Sequence, residues 1–507
     1  MTRIRKGLSW LGSHPLAVCL PIQAALLFSN LALLPAWGDE GFTLAVVPES
    51  LARIASLVSR DIHPPLYYFL LHWWMRLPLP GVEIVRARAF SAVCLLLATV
   101  IVYRLWVERR ETPAAGRWFL ALWTLSPCLL LYGRMARSYS MQLAVASIAL
   151  YAGLRFLDEP RRRLRQLACA AGIAALLYTH YMPGMAVAGA IAAIAVWRAL
   201  RQRDAGFVRG LAAVSAIALV LYTPWLLVLR NALASWGSHD EFYSLASTRA
   251  GDQILKVVYW FGSFAFGETM PVAVVIAALA VALPVGWLLW RGLRSAPEWL
   301  PLAAAAAVIG FLGATRWVTY PFMPARMLFS FPFFLLLLVR GRERWPRAGA
   351  AACTAMALMA LVSITSYYRK ADFLNKGYAA PFDQMAALVN QDFTSGGLVA
   401  IDAYNTDAVP LRALLNRKDN VVVLRSPRSF ELVTASGAPV VWYVRNGHDT
   451  SPGGSNRRLE ADLERKYSVR RHLFVPYSVL ELLVIRLAGW PDRPTHFYEV
   501  LELHRAH

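Results

Sequence analysis

Acidic side chains are scarce in this sequence: 31 Asp and Glu stand against 52 Lys and Arg in 507 residues, and charges of both signs make up only 16% of the chain. With 57% hydrophobic residues and a mean hydropathy of +0.44, there is too little charge to keep the apolar surface in water, which excludes an ordinary soluble protein. Cysteine is sparse too. All five (Cys19, Cys94, Cys128, Cys169, Cys353) fall in apolar runs, so no disulfide framework or cysteine-based zinc site is expected in the C-terminal part. There is no internal repeat. No glycine-rich turn joins a strand to a helix, since Gly453-Gly454 in "TSPGGSN" follows no strand. No small-residue cleavage site follows the first apolar run. That run opens after Arg3, Arg5 and Lys6 and reads as a retained span, not a signal peptide.

Long apolar runs, by contrast, recur at membrane-spanning length: 14–36, 87–106, 117–133, 139–157, 166–180, 183–200, 207–229, 271–291, 299–315, 327–340 and 348–366. The pattern predicts a polytopic α-helical membrane protein of about eleven transmembrane helices. With the N-terminus in the cytoplasm, the connections carrying Arg109/Arg110, Arg161/Arg162/Arg163, Arg201/Arg203, Arg291/Arg294 and Arg342/Arg344 all face that side, as the positive-inside rule requires. An odd helix count sends the segment from 367 to 507 to the opposite face. That segment holds 18 Lys and Arg against 15 Asp and Glu, so nearly all of the +21 net charge lies in the membrane part. The high charge is a topology signal, and no nucleic-acid partner is expected. In the C-terminal segment the short apolar runs "GLVAID", "NVVVLR", "PVVWYV" and "LELLVI" alternate with helical patterns such as "FDQMAALVNQ" and "NRRLEADLERKY". This predicts an exported α/β domain with a largely parallel sheet, acting as a lid, docking or structural element.

The loop between the first two spans is long and rich in reactive side chains. "WGDEGF" puts Asp39 and Glu40 where the first span leaves the membrane, and the outer loop it opens, 37–86, also contains Asp61 and His63. In "DIHPPLYYFLLHWWMRL" the prolines suit the first turn of a helix, and Tyr67, Tyr68, Phe69, Trp73 and Trp74 suit a helix lying at headgroup level. The positive end of that helix beside Asp61 and His63 is suited to a phosphate. Cations sit at other outer positions: Arg86 and Arg88 opening the second span, Arg134 and Arg137 in "YGRMARSYSM" with Tyr139 beside them, His180 in "YTHYMP", and Arg326 in "FMPARMLFSFP". Arg134 and Arg137, three apart, are expected on one helix face. Singly, an outer arginine snorkels to lipid and an acidic pair caps a helix. Together they suit transfer of a sugar carried on a lipid phosphate. The leaving group is then already a stable anion, so the site needs a base for the acceptor hydroxyl and cations for the departing phosphate. Asp39 suits the first task; Arg137, Arg326 and the helix end at His63 suit the second. A divalent cation held by Asp39, Glu40, Asp61 or His63 would assist.

The ordered set "DE", "HPPLYYFLL", "RAFSAV", "ARSYSM", "LYTHY" and "ARMLFSFP" resembles the bacterial branch of the protein O-mannosyltransferase and aminoarabinose transferase superfamily, which has the GT-C fold. The resemblance covers residues 10–366. It implies an inverting transferase of the cytoplasmic (inner) membrane that takes a sugar from a polyprenyl phosphate to a lipid, glycan or protein acceptor, at a hydroxyl or phosphate. Asp39 matches the first-loop catalytic acid, Glu40 its paired acid and Arg88 the phosphate-side arginine. His63 departs from the Lys or Arg that many relatives carry before the prolines. The rival readings are a lipid-linked glycan flippase, a membrane-anchored sensor, and a glycan ligase or acyltransferase. A transporter should place ionisable residues near the bilayer midplane, whereas here they gather at outer span ends.

Overall fold

The computed structural model describes residues 14–236, 250–317, 324–393, 396–402, 405–424, 427–446, 455–476 and 497–506. Within that range the chain forms two compact units, one of residues up to 31 with 46–371, the other of residues 32–45 with 372–507.

The first unit is helical. It contains α1 (Pro15–Phe28), α3 (Leu51–Arg60), α4 (Leu66–Met75), α5 (Glu83–Val102), α6 (Pro113–Thr124), α7 (Pro127–Gly133), α8 (Tyr139–Asp158), α9 (Arg163–Thr179), α10 (Tyr181–Gln202) and α11 (Gly206–Trp236). It continues with α12 (Ala250–Phe266), α13 (Val272–Leu293), α14 (Leu300–Trp317), α15 (Pro324–Met327), α16 (Phe331–Glu343) and α17 (Pro346–Tyr368); α2 (Gly38–Val46) belongs to the second unit except for its last residue. Every predicted apolar run holds helix, and α12 lies outside all of them. Among the described residues, seven helices are long and apolar enough to cross a membrane, or eight when α6 and α7, bent by 51°, count as one span. The break is local chemistry: Ser126 caps α7 by accepting from the Leu129 N–H at 3.2 Å, and Pro127 occupies a first-turn position that needs no N–H. Burial separates the helices further. α8 is buried on nearly every side, whereas α11 and α13 expose Leu219, Val220, Leu227, Ile276, Leu279 and Leu283, a surface that only lipid would solvate. The protein is a multi-pass membrane protein.

α13 and α16 cross at two glycines. A Cβ on Gly341 would fall on the Leu288 carbonyl oxygen, and one on Gly292 on that of Leu337. Small residues let the two backbones meet, the usual device of membrane helix packing. Gly341→Ala should therefore lower the thermal midpoint of the purified protein, by the roughly 1–3 kcal/mol of an overpacked core. Gly286→Ala on the same helix as Gly292, where a Cβ meets nothing within 4 Å, should be neutral or better. Equal midpoints for the two variants would refute the close crossing.

In the second unit five strands, β1 (Leu398–Asp402), β2 (Val421–Val423), β3 (Val440–Asn446), β4 (Tyr467–Pro476) and β5 (Phe497–Arg505), form a sheet in the order β2-β1-β3-β5-β4. β1 is parallel to β2 and β3, but β5 is antiparallel to β3 and β4. The sheet is therefore mixed, not largely parallel. The antiparallel half is held by charged side chains: Arg445 pairs with Glu460 and Glu499, and Arg471 with Asp392 and Glu502. Val433, Val441, Tyr443, Leu459 and Leu503 fill the core on one face. The run "LELLVI" and the Gly453-Gly454 pair lie outside the described residues. α2 groups with this unit, and Trp37 meets the Tyr378 ring edge-on at 5.0 Å.

Candidate catalytic and phosphate-binding site

In the first unit, Asp61, His63 and Arg137 form a chain of contacts. α3 is started by Ser50, whose Oγ accepts from the Arg53 N–H at 3.4 Å, and it buries Ile54 and Val58. It stops in a left-handed turn at Ile62 (φ 58°), with the Ile62 and His63 N–H groups returning to the carbonyls of Ser59 and Val58. Glycine normally occupies that position, and a β-branched residue there is strained. The turn aims His63. Its Nδ1 lies 2.6 Å from the Asp61 carbonyl and 3.1 Å from the Asp61 carboxylate, and its Nε2 is 2.6 Å from Nη2 of Arg137. A guanidinium only donates, so His63 accepts at Nε2 and carries its proton on Nδ1. His63 is thus a neutral orienting group for Arg137 in this arrangement, with Asp61 setting the tautomer. Arg137 also donates to the Tyr68 hydroxyl at 3.0 Å. Its own carbonyl accepts from Ser91, whose hydroxyl meets that of Tyr67 at 2.9 Å.

Two more of the predicted residues join this cluster. His180 sits between α9 and α10, half-buried, with its Nδ1 shielded from solvent and without a hydrogen-bond partner among the described residues. Burial, with Arg326, His63 and Arg137 nearby, holds the His180 pKa well below the ordinary imidazole value. Arg326 lies in α15, a single turn before α16, and its carbonyl accepts from Nε2 of the buried Gln142 at 3.2 Å. An imidazole held neutral in this way has a pH consequence. Below about pH 6.5 the unfolded chain binds a proton that folded His180 refuses, so stability is complete above that pH and declines as pH falls through it. Thermal midpoints should drop between pH 7.5 and 5.5, and His180→Gln should flatten the profile; an unchanged slope in the variant would assign the acid sensitivity elsewhere.

The other predicted residues are placed differently. Arg134 and Arg137 lie in a non-helical turn between α7 and α8, so they do not share a helix face: the break that ends α7 at Gly133 removes the periodicity. Arg134 donates to the carbonyls of Leu26 and Asn30 and to the Tyr368 hydroxyl, and lies over the Tyr367 and Tyr368 rings at 5.2 Å. It clamps the end of α1 to the end of α17. Arg88, buried in α5, donates to the Leu31 carbonyl at 2.7 Å. Tyr139 meets Tyr132 edge-on at 5.5 Å. α4 begins at Leu66, one residue beyond Pro65; it buries Tyr67 and Tyr68 and leaves Trp73 exposed. One group gave no signal in the sequence: Glu268, fully buried between α12 and α13, accepts from Tyr132 and Tyr259 at 2.5 Å and Ser263 at 2.7 Å. Burial raises its pKa.

In the second unit, Asp39 and Glu40 occupy the first turn of α2. The fully buried Glu40 reaches back to accept from the Trp37 N–H at 3.3 Å, one half of a capping box. Asp39 is partly exposed, and its carbonyl accepts from the Thr43 hydroxyl at 3.0 Å. Both carboxylates lie at the positive end of the helix dipole. Among the described residues, no group of three or more His, Cys, Asp or Glu side chains is placed to hold a metal ion.

The arrangement of helices and the C-terminal sheet domain is the GT-C fold. The chain is similar in structure to ArnT from Cupriavidus metallidurans bound to undecaprenyl phosphate, with a TM-score of 0.56 and 14% sequence identity over 98% of each chain. The apo state of that protein is similar to the same degree, with a TM-score of 0.56 and 13% identity over 98% of each chain. The archaeal oligosaccharyltransferase AglB from Archaeoglobus fulgidus, in complex with an inhibitory peptide and a dolichol-phosphate, has a TM-score of 0.50 and 13% identity, covering 93% of this chain and 73% of that one. No protein-family model and no curated protein sequence matches the chain.

Proposed function

We propose that the protein is an inverting glycosyltransferase that moves a sugar from a polyprenyl-phosphate donor to an acceptor hydroxyl or phosphate at the outer face of the cytoplasmic membrane. The observation that carries this reading is the convergence of His63, His180 and Arg326, each partly exposed, around the buried Arg137. Such a locus suits a lipid-tethered phosphate. The lipid phosphates bound by the two similar proteins fit the same chemistry. Asp39 acts as base: it takes the acceptor proton as the acceptor oxygen attacks the anomeric carbon, and the carbon–oxygen bond to the phosphate breaks with its electron pair leaving on the phosphate. Arg137 and Arg326 receive that charge, Asp61 and His63 hold Arg137, and Glu40 holds the turn that presents Asp39. The domain at 372–507 lies outside the membrane. Purified protein in liposomes, given a radiolabelled polyprenyl-phosphate sugar and a membrane extract as acceptor source, should release polyprenyl phosphate in step with sugar transfer. Movement of intact donor across the bilayer with no release would establish the flippase reading instead.

A further inference from the structure

A cavity of about 540 Å3 opens between α5, α8 and α9 at the arginine-rich helix ends, away from the cluster described above. Its size is that of a ligand pocket. Val100, Ile101, Leu105, Ile148, Ala152 and Leu164 make its walls apolar, and Arg104, Arg155 and Arg165 come to its rim from the three helical segments. Each guanidinium has one carboxylate neighbour: Glu108 for Arg104, Asp158 at 3.2 Å for Arg155, and Glu159 at 2.7 Å for Arg165. With five donors apiece, they retain capacity for a further anion. A second feature coincides with the cavity. At Tyr103–Val107, α5 passes into a π-helical turn, with the Glu108 N–H bonded to the Tyr103 carbonyl at 2.9 Å, and this turn carries Arg104 and Leu105. Such turns are uncommon and tend to mark functional positions.

We propose that this cavity binds an anionic phospholipid, its phosphate held among Arg104, Arg155 and Arg165 and an acyl chain lying on the apolar wall. An apolar wall with arginines at its rim matches a lipid better than a soluble anion, which would leave the wall wet, and better than a zwitterionic lipid, whose choline would face the arginines. The charge pattern places these helix ends in the cytoplasmic leaflet, where anionic lipids are recognised by basic pockets between spans. The site is thus distinct from the donor site and does not depend on the transferase reading. Full-length protein should retain one phosphatidylglycerol in native mass spectrometry and release phosphatidylcholine of the same chains. Arg104→Gln with Arg165→Gln should weaken retention tenfold or more. Ala152→Phe, which fills the cavity and spares the charges, should weaken it comparably, with thermal midpoints reporting that both variants are folded. Equal retention of the two lipids, or wild-type retention in either folded variant, would overturn the proposal. Displacement of phosphatidylglycerol by an equal concentration of polyprenyl phosphate would assign the cavity to the carrier and overturn it too.

Discussion

Asp39→Asn should abolish sugar transfer, by roughly a hundredfold or more, while leaving the protein folded and the donor bound. The asparagine keeps the shape of the side chain and removes the lone basic function a hydroxyl acceptor requires. Fold and cap should survive, because the helix start rests on Glu40, buried and bonded to the Trp37 N–H, and on Thr43 against the Asp39 carbonyl, neither of which needs the Asp39 carboxylate. Successive residues on a helix point about 100° apart, so the two acids cannot serve one proton. Glu40→Gln retains an acceptor for the Trp37 N–H and should slow transfer much less; Glu40→Ala should cost about 0.5–2 kcal/mol of stability, like other lost caps. Initial rates with a defined polyprenyl-phosphate sugar decide it. If Asp39→Asn turns over normally and Glu40→Gln is dead, the roles are exchanged. If both remain active, the base lies elsewhere, with Asp61 or Asp240 and Glu241 of "HDE" next; the last two lie outside the described residues.

The membrane part was legible because hydrophobic length is a cumulative signal: a run such as 271–291 needs no single residue to be read correctly, and α13 appears at Val272–Leu293. The places of His63, Arg137, His180 and Arg326 at or between the ends of apolar runs followed from the lengths of those runs. Their mutual bonds did not, because these depend on breaks in helical phase. Ile62 occupies a left-handed turn that sequence logic reserves for glycine, closed by the Ile62 and His63 N–H groups on the Ser59 and Val58 carbonyls. Likewise the break at Gly133 sends Arg134 toward α1 and Arg137 toward His63 from a segment whose spacing suggests one face. Glu268 was invisible because a buried acid is recognised by the hydroxyls around it, and Tyr132 is 136 positions away.

The second unit shows the same division. Strands that are apolar runs, such as "GLVAID" and "PVVWYV", were read directly as β1 and β3. β4 was not, since "YSVRRHLFVP" carries Arg470, Arg471 and His472 along a strand that, among the described residues, pairs with β5 alone. Its stability comes from pairings that local hydropathy cannot register, Arg471 with Glu502 and His472 with Glu499. The membership of α2 in this unit was also hidden, because it rests on contacts such as Trp37 with Tyr378, far apart in the chain. That membership gives the C-terminal domain a share in positioning Asp39.

Arg137→Ala should slow transfer by roughly 10–150-fold, the equivalent of about 1.5–3 kcal/mol for charge-assisted hydrogen bonds, and the loss should fall on kcat more than on KM. A sugar phosphodiester carries one negative charge, and the departing polyprenyl phosphate gains a second as the glycosidic bond breaks. A cation aimed at that oxygen therefore binds the transition state more tightly than the ground state, which is the condition for raising kcat. The structure supplies the aim: Arg137 is buried, fixed through His63 at 2.6 Å and Tyr68 at 3.0 Å, with the His63 proton directed at Asp61. Arg137→Lys keeps the charge but loses the planar fork that meets His63 and Tyr68 together, so it should recover part of the rate. His63→Ala should act in the same direction with a smaller effect, as expected of a residue that positions the guanidinium without touching the donor. Thermal midpoints separate these effects from unfolding. If folded Arg137→Ala keeps wild-type kcat and KM, the arginine serves only to brace the α4 and α8 turns, and the phosphate must be held by Arg326 or another cation.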